Sequence, residues 1–162
     1  MKIGITGSSG FIGYHLENSI KQIEDYKLIS FEREFFNNED YLDSFISSCD
    51  VIVHLAGLNR HKDENLILKT NVDLADKLSD SILRVNFKKK LVYISSVHED
   101  SKSSYGISKL KSRKILTDCS KKIGFNLSSL VVPNVRFAIC SGSWAFVSKL
   151  TITIKATQQR NK

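Results

Sequence analysis

Apolar residues recur along the chain in two alternating rhythms. Lys2-Ile-Gly-Ile-Thr6 is a short β-branched run closed by Gly7, which predicts a first strand. Ile12, Leu16, Ile20 and Ile23 follow at spacings of 4, 4 and 3, the stripe of an amphipathic helix. Lys27–Phe31 predicts a second strand, and Tyr41, Leu42, Phe45 and Ile46 predict a short helix. The run Val51-Ile-Val-His-Leu55 is nearly all apolar, as suits a parallel strand covered on both faces. Leu68, Val72, Ala75, Leu78 and Ile82 mark a longer helix, and Leu91–Ser95 marks the next strand. After a polar loop over Val97–Ser104, a helix is expected from about Tyr105 to Ile123. It should end at Gly124, with Lys121 and Lys122 favourably placed in its last turn. Leu127–Val132 completes five strands alternating with helices, the pattern of a right-handed, doubly wound α/β sheet. The rhythm stops after Asn134, although Ser148–Thr157 has strand character.

The 162 residues match one domain in size, and 41% hydrophobic with 25% charged residues is an ordinary globular balance. No apolar run reaches the length of a membrane span and no secretory signal layout opens the chain, so a cytoplasmic protein is expected. Cys49, Cys119 and Cys140 are odd in number and far apart, which suits reduced buried thiols and gives no metal site.

Charge changes the picture less than it first suggests. The net +7 and the pI near 9.3 raise the possibility of a nucleic-acid partner. Five of the 24 basic residues, and none of the 17 acidic ones, lie between Val135 and Lys162, which leaves a net of +2 before that point. The tail has no aromatic-basic alternation, so neither nucleic acid nor membrane is expected as a partner. Lys88-Lys-Lys90 is expected to be a surface run, and His15, His61 and His98 to be solvated.

The first strand leads directly into Thr6-Gly-Ser-Ser-Gly-Phe-Ile-Gly13. Glycine permits the tight turn and removes the Cβ that would hold a pyrophosphate away. The helix that follows offers unpaired N–H groups and a positive dipole end. Gly7, Ser9, Gly10, Phe11, Ile12 and Gly13 are therefore candidate contacts of a dinucleotide.

That GxxGxxG turn, Tyr105-Gly-Ile-Ser-Lys109 and the serine pair Ser95-Ser96 resemble, in this order, the extended short-chain dehydrogenases/reductases. The resemblance implies a Rossmann-like sheet, a nicotinamide cofactor and a catalytic set of Ser96, Tyr105 and Lys109. Ser96 is favoured over Ser95 because the family serine commonly lies nine residues before the tyrosine. Tyr105 and Lys109, at i and i+4, project from one helix face. An ammonium beside the phenol is expected to lower its pKa, so that Tyr105 exchanges a proton with a sugar oxygen while Ser96 hydrogen-bonds it. Leu55, Ala56 and Gly57 resemble the family turn beside the adenosine, whereas His54 reads equally well as a core histidine. Asn71 resembles a helix asparagine that supports the site, and Pro133-Asn134 resembles the family's Pro-Asn next to nicotinamide and substrate. Glu32 suits the ribose 2′-hydroxyl of NAD, and Arg33 suits the 2′-phosphate of NADP.

His54-Leu-Ala-Gly-Leu-Asn-Arg60 and Tyr105-Gly-Ile-Ser-Lys-Leu110 are most similar to one subgroup, the N-terminal reductase domains of UDP-N-acetyl-L-fucosamine enzymes of capsule and O-antigen synthesis. This implies NADP(H) in preference to NAD(H), a UDP-sugar substrate reduced at a C4 ketone, and substrate contacts from Asn59 and Arg60. Homo-oligomers are possible in full-length relatives. The alternatives are an epimerase or dehydratase of the same family, or a catalytically silent nucleotide-binding remnant. The resemblance covers residues 1–134. Residues 135–162 depart from it, and Leu150-Thr-Ile-Thr153 is what a Pro-Asn-Tyr-Asn stretch of the relatives yields when read one base later. The sequence is therefore expected to be an impaired, truncated form, with a sheet incomplete at the C-terminus and an out-of-frame tail.

Overall fold

The computed structural model describes residues 1–132. Pro133, Asn134, Cys140 and the tail lie outside them, so the substrate contact expected of Asn134 and the strand expected over Ser148–Thr157 have no structural counterpart to compare. Five parallel strands, β1 (Lys2–Thr6), β2 (Lys27–Ile29), β3 (Val51–His54), β4 (Lys90–Ser96) and β5 (Asn126–Val132), form one sheet in the order β2-β1-β3-β4-β5. The helices α1 (Phe11–Lys21), α2 (Glu39–Ser48), α3 (Glu64–Arg84) and α4 (Ser104–Ile123) connect them. This is the expected doubly wound α/β fold. Strand order reverses between β1 and β3, and ligands of such sheets bind at the strand C-termini beside that reversal.

The core has two parts, one on each face of the sheet. Ile3, Ile5, Val51, Val53, Val92 and Ile94 pack with Leu16 and Ile20 of α1. On the opposite face Ile52, Leu91 and Tyr93 pack with Phe45 and Ile46 of α2, Leu78 and Ile82 of α3, and Leu116 of α4. Helix ends follow from local chemistry. The Asn38 side chain accepts from the Tyr41 N–H to start α2, Asp63 caps α3, and the Ser103 side chain accepts from Gly106 to start α4. Gly124 ends α4 in the left-handed region, with φ 80°, after Lys121 and Lys122.

Three expectations are corrected in detail. β2 stops at Ile29, because Phe31 turns into an edge-on cluster with Phe35, Phe36 and Phe45 that opens on a 3₁₀ helix, Arg33–Asn37. In the first half of α3, Ile67 and Asn71 face inward in place of Leu68 and Val72, since Asn71 has polar partners on two neighbouring elements. The lysine run is no plain surface stretch. Lys90 opens β4 with 5% exposure, Lys89 donates to the Cys49 carbonyl and pairs with Asp50, both at 2.9 Å, and Lys88 donates to the Ile123 carbonyl. Cys49 and Cys119 are buried thiols, and burial pushes Cys49 up to about 12.

Candidate active site

The turn after β1 is built by backbone approach. Gly7 has φ +79°, its carbonyl accepts from the Gly10 N–H at 3.1 Å, and a Cβ on Gly7 would lie 2.7 Å from the Ala56 nitrogen. A Cβ on Gly13 would lie 2.6 Å from the Ser8 Cα, so α1 meets the turn only because both positions lack one. Gly10 caps α1 in extended geometry without a side-chain hydrogen bond, and the first turn carries no acidic residue. The leading N–H groups of α1 therefore receive no acceptor from a capping side chain. Ser9, Gly10 and Phe11 are exposed around this helix end, Ile12 is half-buried and Gly13 buried. A phosphate cradle of backbone donors with no competing carboxylate fits the pyrophosphate of a dinucleotide.

The exit of β3 closes over the same turn. The Leu55 N–H donates to the Thr6 carbonyl at 3.0 Å, and the Ala56 N–H to Thr6 Oγ1 at 3.4 Å. Thr6 Oγ1 also bonds His54 Nδ1 at 2.7 Å. His54 lies between Phe36 and Tyr93, and burial, with the Lys109 charge as a second cause, pushes it down to about 3. His54 is thus a neutral core histidine, which decides between its two readings. Gly57 is exposed next to Asn71 and Lys109, with Asn59 and Arg60 exposed beyond it. Glu32 and Arg33 are both exposed at the start of the 3₁₀ helix after β2.

Ser96 ends β4, and its Oγ accepts from the His98 N–H at 3.2 Å. The Ser96 hydroxyl acts to lower the pKa of the Tyr105 phenol, and the half-buried Tyr105 ring meets the His98 ring edge-on at 6.4 Å. Lys109 is 7% exposed and donates to the Ile94 carbonyl at 3.1 Å. Its ammonium lies 5.8 Å from the Tyr105 ring centre and 5.3 Å from that of Tyr93. The structure therefore brings Ser96, Tyr105 and Lys109 together at the C-terminal end of β4, beside Gly57.

The electrostatics differ from expectation. Burial raises the Tyr105 phenol above its ordinary value, and the nearby Ser96 hydroxyl offsets this only in part. Lys109 is itself pushed down to about 8 by burial, with Glu99 acting in the opposite direction. At neutral pH Tyr105 is a protonated phenol facing a charged ammonium.

Several supporting residues escape a motif search. Gly106 is one, because a Cβ there would collide with the His98 carbonyl and come within 2.5 Å of Ser101 Oγ. Tyr93 is another: its hydroxyl donates to the Lys109 carbonyl at 3.2 Å. Ser108 Oγ accepts from Asn71 Nδ2 at 2.9 Å, and Ser112 Oγ donates to the Asn71 carbonyl at 3.1 Å. The available signal was spacing: Tyr105, Lys109 and Arg113 recur every four residues along one side of α4. His15 is half-buried and packs edge-on against Phe11 and Tyr14, whereas His98 is exposed as expected, with the Tyr105 ring at its edge. Among the described residues no helix is long and apolar enough to cross a membrane.

The chain is similar to known proteins in sequence and in fold. A UDP-2-acetamido-2,6-beta-L-arabino-hexul-4-ose reductase of Pseudomonas aeruginosa is 29% identical over 135 residues, which is 83% of this chain and 36% of that protein. RMD of Pseudomonas aeruginosa, solved with NADPH, superposes with a TM-score of 0.73 at 20% identity, over 82% of this chain and 54% of that one. The capsular polysaccharide assembling protein CapF of Staphylococcus aureus does so with a TM-score of 0.67 at 26% identity, over 83% and 34%. The chain thus spans about a third of the curated relative and about half of the solved RMD chain. The family model of NAD dependent epimerases/dehydratases matches residues 3–136, from the first strand past the last, and the chain belongs to that family.

Proposed function

We propose that the chain carries the cofactor-binding and proton-transfer groups of a nucleotide-sugar reductase acting on the C4 ketone of a UDP-2-acetamido-2,6-dideoxyhexos-4-ulose. The observation that carries this reading is the buried Lys109 ammonium 5.8 Å from the Tyr105 ring centre, with Ser96 at the end of β4, on the same C-terminal side of the sheet as the glycine cradle. The relative that acts on a 4-keto UDP-sugar supports the substrate class.

A bound nicotinamide would supply the hydride. Gly7, Gly10 and Gly13 would admit its pyrophosphate to the start of α1, with Ser9, Phe11 and Ile12 around it. Leu55, Ala56 and Gly57 would flank its adenosine side. Arg33 is read as the partner of a 2′-phosphate, which favours NADP(H). Ser96 hydrogen-bonds the ketone oxygen and Tyr105 hands it a proton. Lys109 holds positive charge beside the phenol as it becomes a phenolate. Asn59 and Arg60, exposed next to Gly57, are read as substrate contacts.

The test is to incubate the 4-keto UDP-sugar with NADPH and follow cofactor oxidation, in parallel with direct measurement of NADPH and NADH binding. NADPH is expected to bind more tightly than NADH, and oxidation is expected to vanish in Tyr105→Phe while binding persists. A product isomerised without net cofactor consumption would favour the epimerase reading. Binding with no Tyr105-dependent turnover would favour the silent module.

A further inference from the structure

Behind the Ser96–Tyr105 pair lies a second cluster that the proposed proton transfer leaves unused. Glu99, in the 3₁₀ turn Val97–Asp100 that follows β4, has a side chain only 10% exposed. Both its oxygens accept from Arg113 Nε at 2.9 Å, and a second Arg113 nitrogen lies 2.9 Å from Oε2. The buried Ser95 hydroxyl donates to the same carboxylate. Three consecutive features of the site are thereby tied to one acid. Ser95 immediately precedes Ser96, Arg113 lies one helical turn beyond Lys109, and the turn itself rests on Gly106, where no side chain would fit.

We propose that Glu99 is a positioning residue of this site: clamped by Ser95 and Arg113, it locks the segment after β4 onto α4 and supplies the negative charge that offsets the buried Lys109 ammonium. This rests on the assignment of Tyr105 and Lys109 to proton transfer, but the cluster itself can be tested without turnover.

The surroundings of Lys109 leave few other sources of charge. From β3 it faces His54, which is neutral, and from β4 it faces Tyr93, whose phenol burial raises well above the ordinary value. From α4 itself it faces Tyr105, also a neutral phenol, and Arg113, a cation engaged by Glu99. From the turn after β4 it faces Glu99, the carboxylate that acts to keep Lys109 charged. A pair of exposed ions would contribute little, but here the carboxylate is largely buried and the arginine, 40% exposed, holds it in a bidentate fork of fixed geometry.

The test is a pH titration of the full chain carrying lysine labelled at Cε, read by NMR, with the Lys109 resonance assigned by its loss in Lys109→Arg. In Glu99→Gln, which keeps an acceptor for Ser95 and Arg113 but removes the charge, the Lys109 midpoint is expected to fall by roughly half a pH unit or more, the size of one screened charge nearby. Glu99→Asp restores the charge on a shorter arm and is expected to recover at least half of that displacement. A Lys109 midpoint unchanged in Glu99→Gln overturns the proposal. Equal displacement in both variants also overturns it, since loss of packing alone would then be responsible. NADPH binding and ketone reduction, measured on the same samples, report separately on the assignment of Tyr105 and Lys109: reduction that persists in Tyr105→Phe defeats that assignment and leaves the titration result intact.

Discussion

Asn71 holds both main-chain polar groups of Leu58: the Leu58 N–H donates to Oδ1 at 2.6 Å, and its carbonyl accepts from Nδ2 at 2.9 Å. One buried amide thus stands in for a β-partner and fixes the loop after β3. The second Nδ2 hydrogen bond, to Ser108, ties that loop to the helix of Tyr105 and Lys109. Asn71→Ala leaves the Leu58 groups without their partner and the Ser108 hydroxyl without its donor. A loss of about 1–3 kcal/mol in urea unfolding is expected, because stranded polar groups keep their desolvation penalty. Dinucleotide affinity should fall with it, as Leu55, Ala56 and Gly57 lose their anchor.

Two glycines separate steric need from conformational need. At Gly13 a Cβ would run into backbone of the first turn, which cannot rotate away as a side chain can. At Gly124 nothing lies within 4 Å of a Cβ, and only the positive φ is at stake. Gly124→Ala is expected to lower stability by about 1 kcal/mol with cofactor affinity unchanged. Gly13→Ala is expected to lose dinucleotide binding altogether. Thermal unfolding with and without NADPH distinguishes the two: ligand protection persists in the first variant and disappears in the second.

The fold was legible because its signals are local. Strand and helix periods, the Gly7–Gly13 turn and the Lys121-Lys122-Gly124 helix end each involve neighbours in sequence. The same holds for the Tyr105–Lys109 spacing, which fixes a shared helix face whatever packs against it. What the sequence did not disclose depends on partners far along the chain. The inward turn of Asn71 in place of Val72 requires Leu58 and Ser108, and Lys90 is buried because it opens a central strand. The sign of the Tyr105 shift failed for the same reason. Spacing shows that a lysine is near, whereas desolvation is set by the whole enclosure, and here it outweighs the lowering effect of Ser96.

His54 gives the chain a pH dependence with a definite sign. Its folded pKa, about 3, lies below the unfolded value near 6.5, so the folded state binds this proton less tightly. The stability it contributes is complete above about pH 6.5 and is lost as pH falls towards 3, at up to about 1.4 kcal/mol per unit. Urea unfolding between pH 7 and about pH 4 should show this decline, and His54→Asn should flatten it. An equally steep decline in the variant would place its origin in the carboxylates.

Lys109 sets stability against chemistry. Its folded pKa of about 8 lies below the ordinary 10.5, so the fold disfavours the charged form. The stability associated with this group is therefore present above about pH 10.5 and lost as pH falls through 8, and at pH 7 the folded chain carries the full penalty. Lys109→Met removes a desolvated charge and keeps most of the volume, while the Ile94 carbonyl loses its donor. With a penalty of roughly 3 kcal/mol and a hydrogen bond of about 1 kcal/mol, the variant should gain about 1–2 kcal/mol at pH 7. The gain should shrink towards pH 10.5, where the wild-type amine is neutral. Proton transfer, and with it any reduction of a 4-keto sugar, should be lost. Urea unfolding at the two pH values checks the sign, and a methionine variant less stable than wild type at pH 7 would contradict it. With the expected gain, the lysine is retained for the charge it holds next to Tyr105, at the expense of the stability an apolar side chain would add.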